Sequence, residues 1–225
     1  MDKLLLLSGG GSEQDSLLLD KYFLGTLKRN KVLYIPIAME TNSIGFESCY
    51  DWMTNALTKI SEEFIDITMW LDLKNKTLAD VLEYDAIYIG GGNTYKLLQE
   101  IYESKFDKVL LDFISKNKIV YGGSAGAIIL GKDIRTVAEE NDKNYKYDAG
   151  LNQLNNYSVR CHYNNDDTKI LNYIDIYKTP VIALPEKSGI KVAESRVIVI
   201  GYESILVFDT NKGKKVINPG ESFTL

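Results

Sequence analysis

Short, continuous apolar runs dominate the first half of this chain, and each ends at a loop-forming cluster. Residues 4–7 are four leucines that stop at Ser8-Gly9-Gly10-Gly11-Ser12, and residues 31–37 (Lys-Val-Leu-Tyr-Ile-Pro-Ile) are ended by Pro36. Residues 86–89 open into Gly90-Gly91-Gly92-Asn93-Thr94, and residues 119–121 run into Gly122-Gly123. None of these runs alternates polar with apolar residues, so each predicts a strand buried on both faces. Residues 64–70 alternate and add a further strand. Helical spacing fills the intervals: Leu17, Leu18, Phe23, Leu24 and Leu27, then Phe46, Tyr50, Met53 and Leu57 within 44–60, then 78–82. A last helical stretch, 97–114, carries a candidate break at Ser104. Strands and helices in alternation predict an α/β fold, a three-layer, mainly parallel sheet with helices on both faces. Ligands in such sheets sit beyond the carboxyl ends of the strands. The three glycine-rich loops are therefore expected along one sheet edge.

After Leu130 the rhythm changes. Residues 131–156 are polar and tyrosine-rich and read as an excursion around the site. Residues 157–163 are β-like and carry His162 near their end, and Asp166-Asp167 opens a helix to about Tyr177. Residues 181–184 form another buried strand that runs into Pro185-Glu186. The short runs 190–192, 197–200, 206–208 and 215–217 predict C-terminal antiparallel hairpins extending the sheet. No repeat, low-complexity tract or linker interrupts the chain, so residues 1–225 are expected to form one domain.

Charge and composition narrow the function classes. A formal net charge of −5 argues against general nucleic-acid binding, which needs a basic face. No apolar run approaches the roughly 20 residues of a membrane span. The leucines that follow Asp2 are too few for a secretory leader, and the two cysteines, Cys49 and Cys161, make no disulfide framework. A cytoplasmic protein, monomeric or a small homo-oligomer, is expected. His162 is the only histidine, and no HExxH or Cys/His cluster exists, so neither a metal nor a cofactor is expected.

The chemistry concentrates at residues 119–130, Ile-Val-Tyr-Gly-Gly-Ser-Ala-Gly-Ala-Ile-Ile-Leu. Gly122-x-Ser124-x-Gly126 fits the strand-turn-helix pattern of a nucleophile elbow. The turn is so tight that side chains at Gly122 and Gly126 would collide, and it exposes the serine Oγ at a helix N-terminus. A serine hydroxyl needs a base within hydrogen-bond reach, and His162 is the one neutral-pH base available. The imidazole in turn needs an acceptor on its other nitrogen. Glu186, after a buried strand, and Glu139, in the polar excursion, are the two candidates. Glycine amides at Gly91 and Gly92, with the Ala125 amide, suit an oxyanion hole. A phosphate loop is disfavoured, because no Gly-Lys-Ser/Thr ending follows. Cys161 beside His162 is disfavoured as a nucleophile, because neighbours on a strand point to opposite faces.

At these residues the chain resembles the dipeptidase E (aspartyl dipeptidase) family of serine peptidases, related to cyanophycinase and similar in fold to class I glutamine amidotransferases. The resemblance covers nearly the whole chain. It rests on Gly90-Gly91-Gly92-Asn93-Thr94, Gly123-Ser124-Ala125-Gly126-Ala127, Ile134-Arg135-Thr136, His162-Tyr163 and Leu184-Pro185-Glu186. It implies Ser124 as nucleophile and His162 as base. For the acid it maps onto Glu186, which we prefer, and onto Glu139, which stands where the family carries aspartate. The implied partner is a small peptide. Family members of the aspartyl type place arginines after the histidine, where this chain has Asn164-Asn165-Asp166-Asp167-Thr168-Lys169. Lys169 is the one cation there, and a lysine gives a point charge without arginine's fork. Arg135, Arg160 and Lys187 are alternative cations, and Asn93 a further substrate contact. The competing readings are a cyanophycinase-like or esterase hydrolase, and a non-catalytic binding protein on an amidotransferase-like scaffold.

Overall fold

The computed structural model describes residues 3–39, 45–137 and 139–225. The expected positions of Asp2 and of Ile44, at the start of the second helix, lie outside the described residues. In chain order the first half runs β1 (Leu4–Ser8), α1 (Glu13–Leu24), β2 (Lys31–Ile35), α2 (Phe46–Thr58), β3 (Asp66–Met69), α3 (Leu78–Leu82) and β4 (Ala86–Ile89). It continues through α4 (Thr94–Glu103), α5 (Phe106–Ser115), β5 (Ile119–Gly123) and α6 (Ala125–Ile128).

β1, β5, β4, β2 and β3 lie side by side in that order and pair in parallel. Their residues alternate between two separate packing clusters. Leu5, Leu7, Leu33, Ile35, Ile87, Ile89 and Val120 face α4 and α5, where Leu97, Leu98, Leu110 and Phe113 meet them. Leu6, Val32, Tyr34, Ala86, Tyr88, Ile119 and Tyr121 face α1 and α2, against Phe23, Met53 and Leu57. This double burial is why the strands read as unbroken apolar runs. The stretch 97–114 is divided as its serine suggested. The Ser104 hydroxyl donates to the Glu100 carbonyl at 2.6 Å, and Lys105 adopts φ 60°, which ends α4 and starts α5.

The second half adds β6 (Ser158–Arg160), α7 (Thr168–Tyr177), β7 (Val181–Ala183), β8 (Ser188–Ala193), β9 (Arg196–Gly201), β10 (Ile205–Phe208), β11 (Lys214–Ile217) and β12 (Ser222–Thr224). β8 pairs antiparallel with β1, and β9 and β12 continue outward from it, giving eight strands in the order β12-β9-β8-β1-β5-β4-β2-β3. The expected extension of this sheet by all four C-terminal runs is corrected at β10 and β11. They join β7 and β6 in a second, four-stranded sheet of order β11-β10-β7-β6. The reason is α7: Ile170, Tyr173 and Ile174 form their own apolar cluster with Tyr163, Val181, Ala183, Leu206 and Phe208. That cluster needs β10 over α7 and away from the edge of the large sheet.

Candidate active site

β5 delivers the serine. Gly122 and Gly126 flank it so closely that a Cβ at Gly122 would lie 2.4 Å from the Gly126 carbonyl carbon. Ser124 itself takes φ 47° and ψ −105°, a conformation that costs energy for any L-residue and persists only where its surroundings impose it. Here the Ser124 amide donates to the Ser8 carbonyl at 3.2 Å, tying the turn to β1.

His162 lies just beyond β6 and also has a positive φ, 52°. Its amide donates to the Gly9 carbonyl at 3.0 Å, which fixes the imidazole over the first glycine loop. Nε2 lies 2.8 Å from Ser124 Oγ, and Nδ1 lies 2.8 Å from Glu186 Oε1. With Nδ1–H donating to the carboxylate, Nε2 is left to accept the serine proton. The Gly10 position explains why that loop is glycine. A Cβ there would sit 2.7 Å from both His162 Nε2 and Ser124 Cβ, in the space between base and nucleophile, and φ is 96°.

Glu139 is not at the imidazole. Its Oε1 accepts the Thr94 amide at 3.0 Å, at the start of α4. Of the two acids left open by the sequence, Glu186 is the one in contact with His162. Asn93 uses its Oδ1 to cap α4, accepting the Lys96 amide at 2.8 Å. Gly91 lies against the nucleophile, its Cβ position being 3.9 Å from Ser124 Oγ. The Gly91 and Gly92 amides meet no acceptor among the described residues. Cys161 is buried, and burial pushes its thiol well above the usual range. Its Sγ donates to the Ser8 and Ser124 carbonyls at 3.6 Å, behind the nucleophile, so it faces away from the reacting side.

Three of the four expected cations have partners in the fold. Arg135 is held by Asp133 and by Asp148 at 3.2 Å, and its guanidinium stacks 3.8 Å over the Tyr177 ring. Arg160 donates to the Thr136 carbonyl at 2.7 Å, and Lys187 lies 3.9 Å from Glu203. Lys169 is exposed on the first turn of α7.

A cavity of about 390 Å³ opens beside Ser124 between the glycine loops and α2. None of these four cations lines it. Its walls include Tyr34, Met39, Cys49, Trp52 and Tyr88, none of which the sequence marked as a site residue. Tyr34 and Tyr88 sit in continuous apolar strands and read as core, and only the sheet order reveals that they floor a cavity. Among the described residues, no group of three or more His, Cys, Asp or Glu is placed to hold a metal, and no helix is long and apolar enough to cross a membrane.

Comparison with known proteins places the chain in a family. The model for Peptidase family S51 matches residues 4–200. Peptidase E of Actinobacillus pleuropneumoniae serotype 5b is 26% identical over 227 residues, covering 92% of this chain and 93% of the relative. An uncharacterized peptidase of Listeria monocytogenes serovar 1/2a is 32% identical over 157 residues, covering 65% of this chain and 72% of the relative. The crystal structure of a peptidase from an acI-B1 Actinobacterium superposes with a TM-score of 0.73 at 18% identity, covering 100% of this chain and 98% of that one, and so matches the fold.

Proposed function

The chain belongs to Peptidase family S51, a serine peptidase family resembling dipeptidase E, and from that premise we propose that it hydrolyses short peptides through a Ser124-His162-Glu186 triad. Ser124 Oγ attacks the scissile carbonyl while His162 Nε2 takes its proton. Glu186 holds the ring and stabilises the imidazolium. The amides of Gly91 or Gly92 and of Ala125 receive the charge of the tetrahedral intermediate, in a position fixed before reaction. His162 then protonates the leaving amine, and water repeats the sequence to release the acyl group. The observation that carries this reading is the unbroken chain of two 2.8 Å contacts from Ser124 through His162 to Glu186. Two buried, unpaired thiols, Cys49 and Cys161, support a reducing compartment and hence the cytoplasm.

Ser124→Ala is expected to lower kcat by about 10⁴-fold or more with the fold intact. A fluorophosphonate should label the wild type, and labelling should vanish in both Ser124→Ala and His162→Ala. Wild-type turnover in the Ser124→Ala enzyme overturns the assignment.

A further inference from the structure

Ser8 closes β1 behind the reacting atoms and is buried. Its main chain already serves the site, because the Ser8 carbonyl accepts the Ser124 amide at 3.2 Å and the Cys161 thiol at 3.6 Å. Its side chain reaches the first glycine loop. Ser8 Oγ accepts the Gly10 amide at 3.4 Å, and that amide has no other acceptor among the described residues. The same peptide group carries the Gly9 carbonyl, which accepts the His162 amide at 3.0 Å. A peptide group is planar and turns as a unit, so whatever holds the Gly10 N–H also aims the Gly9 C=O at the base. Gly10 itself is wedged between the reacting groups, where a Cβ would lie 2.7 Å from both His162 Nε2 and Ser124 Cβ. A rotation of this peptide therefore disturbs both partners of the proton transfer.

The Ser8 hydroxyl is oriented in turn. Tyr121, fully buried on β5, donates to Asp20 Oδ1 at 2.6 Å. Its one proton is thereby used, and its oxygen accepts from Ser8. The Ser8 proton is drawn toward Tyr121, which leaves the Ser8 lone pairs for the Gly10 N–H. Donation runs in one sense from Gly10 through Ser8 and Tyr121 to the Asp20 carboxyl, and each bond in such a chain polarises the next. We propose that Ser8 is a positioning residue of the triad: its hydroxyl, oriented by Tyr121 and Asp20, holds the Gly9–Gly10 peptide and through it the His162 imidazole against Ser124. This rests on the peptidase reading above.

The test uses Ser8→Ala, Tyr121→Phe and the double variant. Each is assayed for kcat and KM on the best of a panel of dipeptides, and for the second-order rate of fluorophosphonate labelling. Ser8→Ala is expected to lower kcat about tenfold with KM within about twofold of wild type. Tyr121→Phe keeps its ring in the stack with Tyr88, 4.2 Å away, and should lower kcat about threefold. Labelling needs Ser124 and His162 but no peptide, and should slow by the same factors. The double variant should match Ser8→Ala, because two hydroxyls in one chain share one effect, whereas independent structural losses multiply. Wild-type kcat and labelling in either single variant, or losses that multiply in the double variant, overturn the inference and leave the peptidase reading standing. Absence of Ser124-dependent labelling and of dipeptide turnover in the wild type overturns the peptidase reading and this inference with it.

Discussion

Two glutamates compete for one role, and their contacts separate them. Glu186 touches His162 Nδ1 at 2.8 Å, whereas Glu139 accepts the Thr94 amide. An amide at position 186 keeps an oxygen for the Nδ1–H but withdraws the negative charge that stabilises the imidazolium, and it offers an N–H that favours the wrong tautomer. Glu186→Gln is therefore expected to lower kcat by roughly 10²- to 10⁴-fold. Glu139→Gln retains a carbonyl oxygen for Thr94, and its kcat should stay within about threefold of wild type. Steady-state assays of the two variants on the best dipeptide decide this, and the reverse ranking would transfer the role to Glu139. At this scale the sequence was informative about which side chains meet, Ser124, His162 and Glu186, because an elbow motif, a unique imidazole and a strand-end carboxylate are local signals. It was uninformative about the partners of Arg135, since Asp148 and Tyr177 reach it from distant loops and helices.

Helix α1 carries a buried carboxyl that reports on how the elements meet. Asp20 accepts hydrogen bonds from Ser16 and from Tyr121 of β5, both at 2.6 Å. Burial raises its pKa above the ordinary carboxylate value, and the two hydroxyls only partly oppose that. The sign follows from linkage. The unfolded carboxyl ionises near pH 4 and the folded one at higher pH, so the stability present at low pH is lost as pH rises through the folded value. Asp20→Asn removes this loss, because its amide can donate to Ser16 while Ser16 donates to the Ser12 carbonyl, 3.2 Å away. The Tm of Asp20→Asn minus that of wild type should grow from pH 4 to pH 8. A difference that is constant across those melts would show that Asp20 stays in one protonation state. Elements of this kind were legible where one period dominated: β1, β2, β4 and β5 announced themselves as apolar runs, and the Ser104 break as a polar residue in a helical stretch. β12 was missed, because Ser222–Thr224 is a short edge strand whose only signal is its pairing with β9.

Across the whole molecule, the two sheets meet at the reacting atoms. The large sheet supplies Ser124 after β5, whereas β6 and β7 of the second sheet lead directly to His162 and Glu186. β6 and β7 are parallel neighbours, and the Tyr163 amide donates to the Leu184 carbonyl at 3.1 Å, so base and acid are tied to the same pair of strands. That pair is joined to the nucleophile's loops by His162 N to Gly9 O at 3.0 Å and by the Cys161 thiol on Ser8 and Ser124. One face of the second sheet packs in its cluster on α7, where Phe208 is 1% exposed, and the other joins the large core through Val159, Ile182 and Ile205. Phe208→Ala removes a ring from that cluster, touches no residue of the triad, and should cost about 3–5 kcal/mol. If His162 and Glu186 depend on that cluster for their position, the variant should lose activity at a lower urea concentration than it loses far-UV circular dichroism, because the cluster of Leu6, Phe23 and Tyr121 on the α1 and α2 side of the large sheet contains no residue of the second sheet. Activity and dichroism falling together in Phe208→Ala would mean that the two sheets unfold as a single cooperative unit.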